Sequence, residues 1–400
     1  MRILVVDDDT FSLGLLEAIL RNWNHEVICA EGGEDAWSLM KSDPKLSLVI
    51  TDWQMPDING LELCRRARTL DRERYLPMVV LTGRNEDEDL VVAMEAGADA
   101  FLTKPFSPHE LFAHLRVVKR VKALEYRLAR KVGELNQAKQ KLEEDLKAAG
   151  DIQRSLLPNN QPEMKGVETA WMFSACSATA GDMLNLIQLD EHRLGMYVLD
   201  VSGHGCQAAL LSVSLSRVLT PFPQQGGLLK QLHDDSYRIP SPAEVAADLN
   251  RHFPVMRQSG QYVTFLYGIL DLNDGSFDFV SAGHPPMLHF SAGKVLENER
   301  RSNIPIGWIP EYAYNEERVQ LSEGDMVLFF SDGFEEAVNP EGEELGRAQL
   351  IQTLEERSDW QVADAIQTLT ARVESHAAHV PQRDDMTMVG FHFKQKQTKL

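Results

Sequence analysis

Five short runs of Val, Ile and Leu follow one another near the start of the chain, and helical patterns separate them. The runs are RILVVD, EVICA, LSLVITD, LPMVVLT and AFLTK. Strands that read as continuous apolar residues, rather than alternating ones, are buried on both faces and belong to parallel sheets covered by helices on either side. The pattern therefore predicts a doubly wound α/β domain with a five-stranded parallel sheet. Its functional crevice should lie at the carboxyl ends of the strands.

Polar side chains stand where these apolar runs end. They are Asp7 and Asp8 after the first run, Asp52 after the third, Thr82 after the fourth and Lys104 after the fifth. An isolated acidic residue after a strand is usually a helix N-cap, which is the alternative for Asp9 or Thr10. Three clustered carboxylates repel one another and favour a hard divalent cation such as Mg²⁺. A metal-bound Asp52 is then a suitable nucleophile toward a phosphoryl group, with Lys104 offsetting the added charge.

Four segments of residues 1–120 resemble the response-regulator receiver domain: VVDDD, LVITDWQMPDINGLEL, VVLTGR and FLTKPF. The resemblance implies that Asp52 accepts a phosphoryl group, which a sensor histidine kinase or a phosphotransfer protein would supply. It also implies the roles of the other residues. Asp7, Asp8, Asp52 and the Gln54 carbonyl would hold Mg²⁺, Thr82 would meet the phosphoryl group, Phe101 would be the aromatic switch, and Lys104–Pro105 would be a cis peptide. The alternative, a degenerate receiver, is disfavoured because no member of the set is missing.

Residues 121–157 carry no strand signal and predict a helical linker. Apolar residues recur there every seventh position, with others three residues further along, as in the seam of a coiled coil. They are Val121, Leu128, Leu135, Leu142, Ala149 and Leu156, joined by Leu124, Ala138 and Ile152. Lys131 and Asp145 interrupt the seam, and Gly133 costs about 1 kcal/mol in a helix interior. We expect a parallel homodimer that transmits the receiver state through this helix; an ordinary solvated helix is the alternative.

Residues 158–394 mix strand and helix patterns, and residues 395–400 form a tail. The strand candidates are GMYVLDVS, YVTFLYGILDL, SFDFVSAG, MLHFSAG, MVLFFSD and MTMVGFHF. Turns rich in Gly, Asn and Asp separate them, which is typical of antiparallel pairing. Long helical patterns lie among them, so we expect an α+β sandwich of two mainly antiparallel sheets flanked by helices. The segment 220–242 is rich in Pro and Gly and is predicted to be an exposed loop or insertion.

Acidic residues occupy four places in this second domain. They are Asp182 in TAGDMLN, Asp200 in VLDVSGHG, Asp332 in FFSDGFEEA, and Asp384 with Asp385 in RDDMTM. Three of these places lie where an apolar strand gives way to a turn. One such aspartate beside Gly is more often a turn residue than a ligand. The set as a whole predicts a metal site.

The segments DVSGHGCQAALLS, SAGHPPMLHF, FFSDGFEEA and DDMTMVGF resemble, in this order, the protein phosphatase 2C superfamily in its SpoIIE-like branch. The segment AGDIQRSLLP resembles the helix that precedes the catalytic domain of that branch. The resemblance implies a metal-dependent phosphatase that acts on phosphoserine or phosphothreonine in a protein. Hydrolysis of a phosphate ester needs a hydroxide at neutral pH and neutralisation of charge, and two divalent cations provide both. Because the candidate ligands are all oxygen, we expect two Mn²⁺ or Mg²⁺ ions.

The resemblance also suggests a role for each acidic residue. Asp182 and Asp200 match the carboxylates that the metal pair shares, and Val201 matches a position that offers its carbonyl. Asp332 and Asp384 match ligands of one metal. Asp385 could take the place of Asp384, but we prefer Asp384.

The sequence departs from the family pattern at two positions. Ala180 replaces a glycine and Asn185 replaces an acidic residue, which affects the expected rate rather than metal binding. His204 and His284 are either close to the substrate or packed beside glycine turns.

Composition excludes several other classes of protein. A chain of 400 residues exceeds a usual single core, which favours two domains joined by a connector. The formal charge of −20 and the lack of a helix-turn-helix candidate argue against nucleic-acid binding. No apolar run reaches the roughly 18 residues of a membrane span and no secretory signal is evident, so we expect a cytoplasmic protein that does not bind a membrane. The four cysteines show no CxxC spacing and are predicted to be reduced.

Together these features predict a two-component response regulator in which Asp52 phosphorylation controls a metal-dependent protein serine/threonine phosphatase. By resemblance, its substrate would be a phosphorylated anti-sigma-factor antagonist in a partner-switching pathway. The alternative is a non-catalytic, phosphatase-derived adaptor that binds a sigma factor or another regulator. The intact set of carboxylates favours catalysis.

Overall fold

The apolar runs near the N-terminus form one parallel sheet in the computed structural model. Its strands are β1 (Arg2–Val6), β2 (Glu26–Ala30), β3 (Leu48–Asp52), β4 (Met78–Thr82) and β5 (Ala100–Thr103), in the order β2-β1-β3-β4-β5. The helices are α1 (Thr10–Asn22), α2 (Gly33–Ser42), α3 (Gly60–Arg68), α4 (Asp87–Glu95) and α5 (Pro108–Arg154). Strands β1, β3 and β4 are almost fully buried because apolar clusters cover both faces of the sheet. The predicted doubly wound α/β fold is confirmed.

The structure describes residues 1–71, 75–83, 87–158, 162–203, 205–233, 236–253, 260–296 and 303–394, without the side chains of 87–90. The chain divides into two compact units, residues 1–137 and residues 138–400. Within the described ranges, no helix has both the length and the apolar character needed to cross a membrane.

Helix α5 is one uninterrupted helix that confirms the helical linker as far as Arg154. In the first unit, Leu111, Leu115 and Val118 on this helix pack into the core. Beyond them the large apolar residues of the heptad seam are exposed, with exposures from 38% at Leu156 to 70% at Leu135. Because an isolated helix gains most of its stability from packing of an apolar face, this stretch lacks its usual support within one chain.

The second unit is built from two antiparallel five-stranded sheets. The first has the order β15-β12-β11-β8-β7 and contains β7 (Met183–Gln188), β8 (Arg193–Val201), β11 (Val263–Asp271), β12 (Ser276–Ala282) and β15 (Glu317–Gln320). The second has the order β14-β13-β16-β17-β6 and contains β6 (Val167–Ser174), β13 (Leu288–Ser291), β14 (Lys294–Val295), β16 (Met326–Phe330) and β17 (Met386–Phe393). The predicted sandwich is confirmed. Strands β6, β7, β14 and β15 were not predicted, and all four lie at sheet edges.

Helices and a hairpin complete the second unit. The helices are α6 (Cys206–Val218), α7 (Pro242–His252), α8 (Arg347–Glu355) and α9 (Val362–Ala377), and the hairpin pairs β9 (Gln231–His233) with β10 (Ser236–Arg238). Helix α7 begins with a capping box in which Ser241 and Glu244 each bond the other's backbone. The segment predicted as an exposed insertion contains this hairpin, but buried Leu228 and Leu229 anchor it to the core.

An aromatic cluster fills the space between the two sheets. Phe277 of β12 contacts Phe329 of β16 and Phe391 of β17, with ring centroids 6.1 and 5.3 Å away. Gly268 of β11 makes room for Phe277, because a Cβ atom at this position would overlap the Phe277 ring. The sheets can therefore pack closely only if residue 268 has no side chain.

We expect Gly268→Ala to lower the free energy of unfolding by about 2 kcal/mol, because an added methyl group overpacks the core. Gly133→Ala is a matched control on the exposed part of α5, where no heavy atom lies within 4 Å of the added Cβ. It should stabilise the helix by about 1 kcal/mol. Calorimetric unfolding of both variants checks this pair, and an unchanged unfolding temperature for Gly268→Ala would contradict the packing described above.

Candidate functional site

An acidic cluster lies at the carboxyl edge of the parallel sheet. Asp7, Asp8 and Asp52 each offer a carboxylate oxygen, and these oxygens lie within 4.8 Å of one another. Lys104 Nζ lies 2.7 Å from Asp7 Oδ2 and 2.7 Å from Asp52 Oδ1. Burial raises the pKa of Asp52, an effect that Lys104 only partly offsets. One lysine does not balance three carboxylates, so this all-oxygen cluster fits a bound Mg²⁺ ion.

The other predicted receiver residues lie around this cluster. Thr82 is buried at the end of β4, and its carbonyl accepts a 2.7 Å hydrogen bond from the backbone N–H of Lys104. Phe101 is half-buried on β5, and the N–H of exposed Gln54 donates to Asp52 Oδ2 at 3.3 Å. The Lys104–Pro105 peptide is cis, as predicted. Asp9 is the N-cap of α1, which confirms the alternative reading of that residue.

The carboxylates of the second unit come from two pairs of neighbouring strands, one pair in each sheet. Asp182 directly precedes β7, and Asp200 lies near the end of the antiparallel neighbour β8. Asp332 follows β16 after one residue, and Asp384 and Asp385 directly precede the antiparallel neighbour β17. Each antiparallel pair therefore brings its aspartates to the same end of its sheet.

The two pairs meet, because the N–H of Gly181, directly before Asp182, donates to Asp385 Oδ2 at 2.7 Å. The pKa shifts of the aspartates agree with this proximity. Burial raises the pKa of Asp200 to about 7, and the charges of Asp332, Asp384 and Asp385 contribute to the rise. The pKa of Asp182 is also raised, chiefly by its burial and to a lesser degree by the charge of Asp200. The pKa of Asp332 rises to about 6 through burial and the charge of Asp384. Asp182, Asp200 and Asp332 thus share one poorly solvated region, with the charges of Asp384 and Asp385 nearby.

The surroundings of this region fit divalent cations. Among the described residues, no Lys, Arg or His forms an ion pair with Asp182, Asp200 or Asp332, and the buried oxygen Asp182 Oδ2 has no hydrogen-bond partner. A Cβ at Gly181 would lie 2.9 Å from the Val201 carbonyl oxygen and 3.5 Å from an Asp200 carboxylate oxygen. The glycine therefore leaves a space lined by oxygen, the ligand type that Mg²⁺ and Mn²⁺ prefer.

The two acidic sites differ in how closely the carboxylates approach. Of the described residues, only Asp7, Asp8 and Asp52 form a group of three metal-ligating side chains within 4.8 Å. The aspartates of the second unit are more widely spread, which is compatible with a pair of ions about 3.5 to 4 Å apart rather than one.

The adjacent residues Asp384 and Asp385 have different environments. Asp385 is 5% exposed, and its two carboxylate oxygens accept hydrogen bonds from the N–H groups of Cys176 (2.8 Å) and Gly181 (2.7 Å). Asp384 is exposed, and its Oδ1 accepts the N–H of Asp385 at 2.8 Å. Asp385 therefore holds the loop that leads into Asp182, whereas Asp384 faces the solvent side of the site.

The last turn of α5 is bonded to the same loop. Gln153 is 4% exposed; its Nε2 donates to the Ala180 carbonyl at 2.7 Å, and its Oε1 accepts the Ala180 N–H at 3.0 Å. Gly150, one turn earlier, allows the close approach, because a Cβ there would overlap the Ala178 carbonyl oxygen. Sequence reasoning did not identify this contact, although Gly150 and Gln153 share a helix face in the AGDIQRSLLP segment.

His284 is also buried, at 3% exposure. Its ring contacts Thr264 Oγ1 at 2.7 Å through Nδ1 and the Phe330 carbonyl at 3.0 Å through Nε2. His284 directly follows Gly283, which agrees with the prediction that it packs beside a glycine turn. His204 lies outside the described residues. Asn185 lies in β7, and its Oδ1 accepts the backbone N–H of Leu186.

Sequence comparison assigns both units. The family described as Stage II sporulation protein E (SpoIIE) matches residues 190–394, and the family described as response regulator receiver domain matches residues 3–116. The chemotaxis protein CheY1 of Helicobacter pylori is 33% identical over 119 residues, which are 30% of this chain and 96% of that protein. The transcriptional regulatory protein AfsQ1 of Streptomyces coelicolor is 38% identical over 118 residues, 30% of this chain and 51% of that protein.

Structural comparison identifies the fold of the second unit. The SiaA-PP2C domain of Pseudomonas aeruginosa superposes with a TM-score of 0.54 and 18% identity, over 64% of this chain and 99% of that domain. At this identity the likeness shows a shared fold. The chain therefore belongs to the Stage II sporulation protein E (SpoIIE) family and joins a response regulator receiver domain to a SpoIIE domain with the fold of the SiaA-PP2C domain.

Proposed function

We propose that this protein is a response regulator in which Asp52 phosphorylation controls a metal-dependent protein serine/threonine phosphatase. The observation that carries the proposal is the meeting of Asp182, Asp200 and Asp332 in a region where the described residues supply no balancing cation. Buried carboxylates that repel one another are retained where they bind metal ions.

In this proposal Asp182 and Asp200 would be shared by both ions, and Val201 would offer its carbonyl. Asp332 and Asp384 would be ligands of one ion. A bound pair of Mn²⁺ or Mg²⁺ ions supplies a hydroxide at neutral pH and neutralises charge on the phosphoryl group. Asp385 is assigned to hold the loop rather than a metal, because its oxygens already accept backbone N–H groups. Gly181 lets that loop pass beside the Val201 carbonyl.

In the receiver, Asp7, Asp8, Asp52 and the Gln54 carbonyl are proposed to bind Mg²⁺. Asp52 would accept the phosphoryl group from a sensor histidine kinase or a phosphotransfer protein. Lys104 already contacts Asp52 and would offset the added charge. Thr82 and Phe101 would then change position. The added charge at Asp52 would in this way favour one of two conformations of the receiver.

The contact between α5 and the catalytic loop supports a route for this control. Gln153 satisfies both backbone groups of Ala180, which lies two residues before Asp182. A shift of α5 would break these buried hydrogen bonds or move Asp182, so the position of the helix and the geometry of the acidic site are coupled.

The substrate is proposed from family membership. Because the SpoIIE-like branch acts in partner-switching circuits, we propose a phosphorylated anti-sigma-factor antagonist as the substrate. Matching of the SpoIIE family over residues 190–394 supports this proposal.

Asp332→Asn should abolish Mn²⁺-dependent release of phosphate from a phosphoserine protein such as phosphocasein, with a loss of about 100-fold or more, because one ligand charge is removed. Asp278→Asn is the control, since Asp278 lies on β12 and pairs with Arg318 at the surface. Phosphate release is measured with each variant. Undetectable turnover by the unmodified protein with Mn²⁺ and Mg²⁺, in both states of Asp52, would contradict the enzyme proposal and favour the adaptor.

Gln153→Ala should make the phosphatase insensitive to the receiver and lower its rate about tenfold, because the buried N–H and C=O groups of Ala180 lose their partners. The measurement is the ratio of p-nitrophenyl phosphate hydrolysis with and without acetyl phosphate treatment. Gln140→Ala is the matched control on the exposed part of α5. A Gln153→Ala protein that keeps the full response would exclude this route.

The exposed seam of α5 should pair two copies of the chain. We expect sedimentation of a dimer for the unmodified protein and of a monomer for Leu135→Asp, because Leu135 is 70% exposed on the seam of one chain and a charge there opposes burial. Asn136→Asp, one position off the seam, adds the same charge and should leave the dimer intact. A monomer at all concentrations, with and without Asp52 phosphorylation, would contradict the dimer.

A further inference from the structure

His284 lies where the chain passes from one sheet of the second unit to the other. It follows β12 of the first sheet and precedes β13 of the second sheet. Its Nδ1 contacts Thr264 of β11 and its Nε2 contacts the Phe330 carbonyl at the end of β16. One buried side chain therefore bonds to both layers of the sandwich.

The two contacts of His284 fall next to residues of the proposed metal site. Thr264 pairs directly with Asp200 in the register of β11 and β8. Phe330 is separated from Asp332 only by Ser331, whose backbone and hydroxyl bond to the segment containing Asp385 and Thr387. The imidazole thus links the strand position opposite Asp200 with the strand end that carries Asp332.

The chemistry of the partners determines the form of the ring. A carbonyl oxygen only accepts, so Nε2 carries the proton and donates to Phe330. In the neutral ring Nδ1 is then an acceptor, and the Thr264 hydroxyl donates to it. Burial lowers the pKa of His284 to about 3, which agrees with a neutral imidazole. Both contacts are therefore satisfied in one tautomer, without adding charge near the carboxylates.

We propose that His284 is a positioning residue that holds the spacing between Asp200 and Asp332 by bonding the two sheets at their metal-binding end. The inference rests on the proposed metal-dependent function. Two ligands from different sheets keep a common distance only if the sheets do not slide, and outer groups that orient metal ligands are known to affect affinity.

A second buried histidine provides the matched control. His289 of β13 is also 3% exposed, and its Nε2 contacts Asp325 Oδ2 at 2.9 Å. Asp325 directly precedes β16, so this contact lies at the opposite end of the strand from Phe330. Loss of His289 should affect folding stability without changing the spacing of the aspartates.

The test measures Mn²⁺ binding by calorimetry, the melting temperature without metal, and kcat with p-nitrophenyl phosphate. His284→Ala should weaken Mn²⁺ binding about tenfold or more and lower kcat. His284→Gln should recover part of both, because its amide offers a donor and an acceptor. His289→Gln should lower the melting temperature but leave the Kd for Mn²⁺ within about twofold of that of the unmodified protein, since its contacts are remote from the ligands.

Each outcome decides the proposal. Equal Kd values for Mn²⁺ in His284→Ala and His289→Gln would overturn it, and so would a His284→Gln protein no better than His284→Ala. If His284→Ala does not fold, Thr264→Val removes only the hydroxyl contact, and an unchanged Kd in that variant would overturn the proposal. Absence of Mn²⁺ uptake by the unmodified protein would instead refute the proposed function itself.

Discussion

Mutual repulsion among buried carboxylates is the constraint on which the second unit depends. Asp182, Asp200 and Asp332 come from both sheets of the sandwich, and their pKa values are raised chiefly by burial. Folding alone gives no reason to bring these groups together, because desolvation of a charge is unfavourable. Hydrogen bonds made by Asp385, Gln153 and His284 connect the segments that carry these aspartates. This cost is the reason for proposing that the aspartates are kept for metal binding.

The two acidic sites of the chain differ in how their negative charge is balanced. In the receiver, Lys104 contacts both Asp7 and Asp52, so part of the charge is balanced by the protein itself. In the second unit no described lysine, arginine or histidine pairs with Asp182, Asp200 or Asp332. A site with its own cation can tolerate loss of the metal and a transient phosphoryl group. The second site has no such cation among the described residues, which agrees with the proposed pair of metal ions.

Sequence reasoning predicted the parallel sheet and the positions of the aspartates because both follow from local patterns. Buried strands read as continuous apolar runs, and aspartates at their ends meet wherever neighbouring strands end together. The edge strands β6 and β7 were not predicted, because their mixed burial leaves no clear period in the pattern of apolar residues. The role of Asp385 also escaped, since its partner Gly181 lies 204 positions away. Contacts made by uncharged side chains, such as those of Gln153, leave no compositional signal.

The amide of Gln153 has one further consequence. Salt screens charges that are exposed to solvent, but it has little effect on a neutral hydrogen bond enclosed by protein. A coupling that runs through Gln153 and Ala180 therefore keeps its strength when cellular osmolarity or acidity changes. A lysine or glutamate in this place would instead have added its own field to the neighbouring aspartates. If the proposed route holds, a movement of α5 reaches the aspartates through a neutral contact that adds no charge to the site.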